Sequence, residues 1–295
     1  MFTILGISSQ ALFGQLLIGL INGAFYAMLS LGLALIFGLL NIINFTHGAQ
    51  YMMGAFVAWL LLTYASVGYW PALLIAPIIV GVTGILVERL FLRWLYKLDH
   101  LYGLLLTFGL ALMLEGGFRQ LYGVSGLPYQ IPQELLGAYN LGFMFLPKYR
   151  AWVVVISLVV CLLTWLLIEK TKLGSYLRAA TENPSLVRAF GINVPVMITL
   201  TYGFGVALAA FAGVLAAPIY QVSPIMGSNL IIIVFAVVVI GGMGSILGSI
   251  VTGFALGLIE GLTKVFYPEA SSTVIFVIMA IVLLIKPTGL FGRRT

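Results

Sequence analysis

Apolar residues fill eight stretches of the chain: 11–40, 50–66, 70–87, 101–122, 151–168, 196–222, 229–262 and 273–286. About 20 apolar residues carry a helix across a hydrocarbon core about 30 Å thick, so these stretches predict membrane-spanning helices. Most charged residues lie in the gaps. One gap carries Arg89, Arg93, Lys97 and His100, and another carries Lys170, Lys172, Arg178 and Arg188. Two stretches separate these gaps, so both can face the same side. The excess of Lys and Arg makes that side the cytoplasm. Residues 123–150 then face outward. The prolines Pro128, Pro132 and Pro147 argue against a continuous helix there. This connection is a docking surface for an outside partner or a plain loop.

The C-terminal Lys286, Arg293 and Arg294 also read as cytoplasmic. Three long stretches separate them from the second basic gap, and an odd number of crossings would put them outside. Parity therefore requires 229–262 to be two elements, broken at Gly241, Gly242 and Gly244. Beyond the break, Ser245, Ser249, Gly253, Gly257 and Gly261 recur every fourth position. Spacing of four places them on one helix face, where small side chains let two helix backbones approach closely. Residues 245–262 are expected as one tightly packed helix, and 229–241 as a short span or re-entrant half-helix.

The stretch 11–40 ends in a polar island: Asn41, Asn44, Thr46, His47 and Gln50. Such an interruption at membrane depth must be buried in protein or line a wet cavity. The segments 38–48 and 241–248 both follow an apolar run and precede a small-residue-rich helix. They are expected to mark two structural repeats with discontinuous helices, a transporter design. No charge fixes the side on which the N-terminus lies.

Composition makes the membrane reading firm. The first 87 of 295 residues contain no Asp, Glu, Lys or Arg, and Glu88 is the first charge. Over the whole chain 62% of residues are hydrophobic and 7% charged, with a mean hydropathy of +1.17. A soluble domain carries about 25% charged residues. The net charge of +6 follows from the interhelical basic residues and is no nucleic-acid signal. The single cysteine, Cys161, reads as a small buried hydrophobe with no disulfide or metal partner. The start of the chain lacks a basic n-region and cleavage site, so the first stretch is expected to be retained as a span. The expected fold is one all-α polytopic transmembrane bundle over 1–295, with about eight spans, some discontinuous or re-entrant.

Candidate chemistry is sparse. No glycine-rich loop ends in Gly-Lys-Ser/Thr, so the chain has no ATPase site of its own. Glu115 with Arg119 and Glu260 with Lys264 are i,i+4 pairs and read as interfacial ion pairs. His47 is either a proton relay or part of a hydrogen-bonded knot with Asn41, Asn44, Thr46 and Gln50. Thr107 is a further interior polar candidate. Asn22, Tyr26, Ser30, Ser228 and Asn229 can line a translocation path or bridge helices. Ser245 with His47 is the one pairing an intramembrane serine hydrolase could use, but helix packing accounts for Ser245. In the second basic gap, Asn183 is an N-cap, Pro184 fits a first turn and Gly191 a C′ stop. They predict a two-turn helix over 184–190 that projects Leu186, Val187 and Phe190. It either docks on a cytoplasmic protein or lies flat on the lipid interface.

The segment Asn22 to Gly48, continued by Tyr51, Met52 and Gly54, resembles the N-terminal signature of branched-chain amino-acid ABC importer permeases of the LivH type. The run Arg178-Ala-Ala-Thr-Glu-Asn to Ala189-Phe-Gly-Ile-Asn193 resembles that family's ATPase-coupling loop. Ile285-Lys-Pro-Thr-Gly-Leu-Phe-Gly292 is similar to its ending. The resemblance spans essentially the whole chain. It implies a multi-pass permease of the bacterial inner membrane, paired with a second related permease. Two cytoplasmic ATPases would bind ATP and Mg, and a periplasmic binding protein would deliver substrate. It implies coupling residues Arg178, Glu182, Asn183, Leu186, Val187, Phe190 and Gly191 within the loop 170–195. Arg178 stands where the general importer pattern has Glu. Related permeases carry other amino acids, amides or urea, and from the residues alone a self-sufficient carrier or channel is the opposing class.

Overall fold

The computed structural model describes residues 3–4, 7–40, 44–96, 98–142 and 144–292; Asn41, Lys97, Arg293 and Arg294 lie outside them. The helices are α1 (Ser9–Leu40), α2 (Thr46–Ala65), α3 (Tyr69–Leu90), α4 (His100–Tyr122), α5 (Lys148–Lys170), α6 (Lys172–Glu182), α7 (Pro184–Ala189), α8 (Val194–Tyr220), α9 (Ser228–Gly241), α10 (Ile246–Phe266) and α11 (Val274–Ile285). Six are long and apolar enough to cross a membrane, and α9 and α11 are shorter apolar helices. Two short antiparallel ribbons pair Thr3–Ile4 with Ile7–Ser8 and Ala138–Asn140 with Phe145–Pro147. Among the described residues, 123–147 contain no α-helix, in keeping with their prolines.

Helix α1 runs unbroken for 32 residues. It is apolar on every side, and such a helix is stable only when surrounded. In its most apolar window 83% of residues are buried, against 11% for α4. So α1 is the axis of the bundle and α4 lies at its edge. Helix α10 lies antiparallel along α1, because small residues meet on both. A Cβ on Gly257 would lie 2.3 Å from the Gly23 Cα, and one on Gly253 would lie 2.5 Å from the Ala27 Cα. Gly261 meets Gly19 in the same way. Ser30 Oγ donates to the Ser249 carbonyl at 3.2 Å. Ser245 departs from the expected stripe. It precedes the first helical residue, and its Oγ accepts from the Gly248 N–H at 3.1 Å, so it caps α10.

The break in 229–262 falls where parity requires it. Gly242 and Gly244 hold φ of +102° and +82° between α9 and α10, a region closed to most side chains. The ending of the chain returns to this break: Leu290 and Phe291 donate backbone N–H groups to the Ile240 and Gly241 carbonyls at 2.8 and 3.0 Å. Gly38 of α1 also packs on Gly244. These contacts bring the ends of α1, α5, α9 and α11 together with α6. The α3 end meets the α8 start through Glu88 and Thr199, 2.7 Å apart, and both face Ala180 and Thr181 of α6 across one cavity. Arg89, Arg93, Lys170, Lys172, Arg178, Arg188 and Lys286 gather at this basic end. Arg119, Lys148, Arg150 and Lys264 lie at the other. Acidic residues divide evenly: Glu88, Asp99, Glu169 and Glu182 against Glu115, Glu134, Glu260 and Glu269. The asymmetry is thus in the cations alone, as the positive-inside rule has it. With α1, α3, α5, α9 and α11 running toward the basic end and α2, α4, α8 and α10 away, α1 begins at the far end.

Candidate functional site

The far half of the bundle holds a cavity of about 400 Å³, within the range of small-molecule sites. Three distant segments build it. Helix α1 contributes Asn22, Phe25 and Tyr26, α2 contributes Tyr51, and the α8–α9 connection with its flanking turns contributes Tyr220, Met226 and Asn229. The connection reverses at Gln221, whose φ of +64° is unusual for a residue with a Cβ. Reciprocal backbone hydrogen bonds between Val222 and Leu127, at 2.8 and 2.9 Å, hold that turn. Inside, the Tyr220 hydroxyl donates to Asn22 Oδ1 at 2.7 Å. Hydroxyls, amides and aromatic faces line the space, and no lining residue is charged. The cavity can therefore take a small solute through neutral hydrogen bonds and apolar contact.

Behind Tyr26 lies the one acidic group buried in this half. Tyr26 donates its hydroxyl to Glu260 Oε2 at 2.7 Å, and Lys264 Nζ reaches Glu260 Oε1 at 2.5 Å. Sequence spacing predicts an interfacial Glu260–Lys264 pair. The pair is present, but Glu260 is buried and tied into the cavity wall. Removing the phenol leaves a buried carboxylate with one partner fewer. Tyr26→Phe is expected to cost about 1.5–3 kcal/mol of stability, read as a lower melting temperature in detergent. Glu115 and Arg119 do form a half-exposed surface pair, 3.1 Å apart.

The polar island is placed elsewhere. Asn44, Thr46, His47 and Gln50 are all buried, and none lines the cavity. They bind one another and the neighbouring helices. Asn44 Nδ2 donates to the Tyr202 hydroxyl at 3.1 Å, Gln50 lies at its edge, and Thr46 donates to Asn44. Thr107 of α4 accepts the Phe45 N–H at 3.2 Å. His47 Nε2 meets the Leu29 carbonyl at 3.0 Å, and its ring packs on Gly32. The physical reason is that a chain break inside a bundle frees backbone groups that must find partners away from water. Asn41 lies outside the described residues. Ser228 is set apart from the cavity: its hydroxyl donates to the Ile225 carbonyl, and the residue lines a small pocket beside α4. Ser245 and His47 do not meet, so they form no hydrolase pair.

At the basic end, α7 is set by local rules. Asn183 Oδ1 accepts the Leu186 N–H at 3.0 Å, Pro184 opens the helix, and Gly191 follows at φ +81°. Leu186 and Phe190, one turn apart, are exposed at 54% and 77%. Val187 is buried, against the expectation that it projects with them. One residue beyond Leu186 is about 100° around the helix, which turns Val187 inward. Arg178 pairs with Glu169 at 3.2 Å and reaches the Ile168 carbonyl, so it ties α6 to α5. Glu182 is exposed.

Sequence reasoning missed α6 and did not weigh Tyr51, Tyr220, Tyr202 or Glu88. For α6 the signal was available: Leu173, Leu177 and Ala180 fall at helical spacing. Gly174 also sits where any Cβ would lie 1.6 Å from the Ile168 carbonyl.

The family described as the branched-chain amino acid transport system / permease component matches residues 15–283. The chain is 30% identical to the high-affinity branched-chain amino acid transport system permease protein BraD of Pseudomonas aeruginosa, over 95% of each chain. It is 28% identical to LivH of Escherichia coli K12, again over 95% of each. It is also 28% identical to LivM of the same organism, over 90% of this chain and 67% of LivM. No solved structure matches.

Proposed function

This chain belongs to the branched-chain amino acid transport permease family, and from that premise we propose that it translocates branched-chain amino acids as one subunit of an ATP-driven importer. In this reading it pairs with a second, related permease in the bacterial inner membrane. Two cytoplasmic ATPases bind ATP and Mg, and a periplasmic binding protein delivers substrate to the far end. The basic end faces the cytoplasm, and 123–150 faces the periplasm. The coupling element is 170–195, with Leu186 and Phe190 docking on an ATPase while Asn183, Gly191 and Val187 shape and anchor the helix. The chain itself does no chemistry; closure of the ATPases moves α7, and the bundle alternates access to the cavity.

The observation that carries this reading is the uncharged cavity of about 400 Å³ at the end opposite α7. A permease supplied by a separate binding protein needs a weakly polar path rather than a tight site. Neutral phenols and amides can accompany both ends of a zwitterion, and Phe25 and Met226 suit an aliphatic side chain. Asn229→Trp fills the cavity from an exposed position. Leucine uptake is expected to fall at least about tenfold, a change of roughly 1.4 kcal/mol in the barrier, with an unchanged melting temperature. Normal uptake in that variant would place the path elsewhere. A urea or amide permease of the same family is separated from this reading by competing leucine uptake with urea.

A further inference from the structure

At the basic end a cavity of about 830 Å³ opens between the end of α3, the turn after it, the end of α6, α7 and the start of α8. Three guanidinium groups border it: Arg89 and Arg93 from one wall and Arg188 of α7 from the other. No carboxylate lies within salt-bridge distance of any of them among the described residues. The cavity has one acid, Glu88, and it is already engaged: Tyr96 donates to one oxygen at 2.5 Å and Thr199 to the other at 2.7 Å. Burial, and then the Glu88 carboxylate, hold the Tyr96 hydroxyl well above its usual pKa, so it stays a donor. The net field in the cavity is cationic. Apolar residues share its lining: Trp94 on the α3 side, 76% exposed, and Val194, Pro195 and Ile198 on the α8 side.

We propose that this cavity binds the phosphate of an anionic phospholipid from the leaflet at the basic end, with its acyl chains against the apolar lining. Three unpaired guanidinium groups match a phosphate, to which each can donate two parallel hydrogen bonds. Basic pockets between helices at this level of the membrane suit lipid headgroups. A tryptophan in the lining fits the interfacial belt. A free phosphate would use the arginines and leave the apolar flanks idle, so the flanks decide for the lipid. Because Arg188 lies on α7, the lipid bridges α7 to α3. The site itself does not depend on how α7 couples.

The test uses the intact transporter with its co-purifying subunits in mild detergent. Melting temperature is measured with added phosphatidylglycerol, phosphatidylcholine or inorganic phosphate. Phosphatidylglycerol alone is expected to raise it by about 2–4 °C, and native mass spectrometry should show a retained anionic lipid. The triple variant Arg89→Gln, Arg93→Gln, Arg188→Gln is expected to lose both effects while melting normally in phosphatidylcholine. If the triple variant does not fold, Arg93→Gln and Arg188→Gln alone should each reduce the rise. An equal rise with inorganic phosphate overturns the lipid assignment in favour of a free anion. An undiminished rise in these variants overturns the site. Loss of a co-purifying protein with the lipid rise intact shows that the arginines hold a protein partner instead.

Discussion

Phe190→Asp is expected to abolish ATP-dependent uptake while the chain still inserts and melts normally. Phe190 follows the last turn of α7 at 77% exposure, and Leu186 lies one turn before it. Neither packs into the bundle, so a charge there costs the fold little. An exposed aromatic and a leucine on one short helix are the kind of anchors that dominate an interface when a pocket receives them. Losing such an anchor typically weakens association by about 2 kcal/mol or more, roughly 30-fold. Co-purification of the ATPases and uptake should fall together. Val187→Asp is the instructive contrast: Val187 is buried, so that variant is expected to misfold rather than uncouple. If Phe190→Asp transports normally, α7 is not the docking element.

Gly257 substitutions are expected to act on the bundle itself. The α1–α10 pair has no room for a Cβ at this position: the atom would lie 2.3 Å from the Gly23 Cα and 2.4 Å from the Gly19 carbonyl oxygen. Both obstacles are backbone, so no rotamer change relieves them. Lipid tails are as apolar as leucine, and the close van der Waals fit is what favours the pair over lipid contact. Gly257→Ala should cost about 1–3 kcal/mol, and Gly257→Leu should leave α1 and α10 unable to close and remove folded protein. Gly116→Ala on α4, where nothing lies within 4 Å, is the matched control and should leave the melting temperature unchanged or slightly higher. Equal tolerance at both positions would show that the α1–α10 contact is not close-packed.

What the chain disclosed beforehand follows from which signals are local. Spans were legible because lipid forbids charge, and the α9–α10 break because parity and three glycines agreed. The cap, first turn and stop of α7 were legible because Asn183, Pro184 and Gly191 act within one helix. The cavity was not, since α1, α2 and the α8–α9 connection are far apart in sequence; Asn22, Tyr26 and Asn229 could be named, but nothing local sets Tyr51 and Tyr220 apart from the chain's other aromatics. The island at 44–50 was legible as a problem of backbone satisfaction and not as to its partner, Tyr202, which is 158 residues from Asn44. Val187 was misplaced because a two-turn helix has too few residues to show which face is inward. Ser245 fitted a period of four, yet stands one residue before the helix and serves as its cap.

In the proposed reading this chain moves substrate only when partner ATPases drive it. The direct measurement is leucine uptake into proteoliposomes holding the transporter as purified from its native membrane, with its binding protein outside, and with or without ATP and Mg at the ATPase side. Uptake is expected to require ATP, to persist after the ion gradients are collapsed, and to disappear in Phe190→Asp. Uptake that proceeds without nucleotide and follows an imposed ion gradient would contradict it and make the chain a self-sufficient carrier.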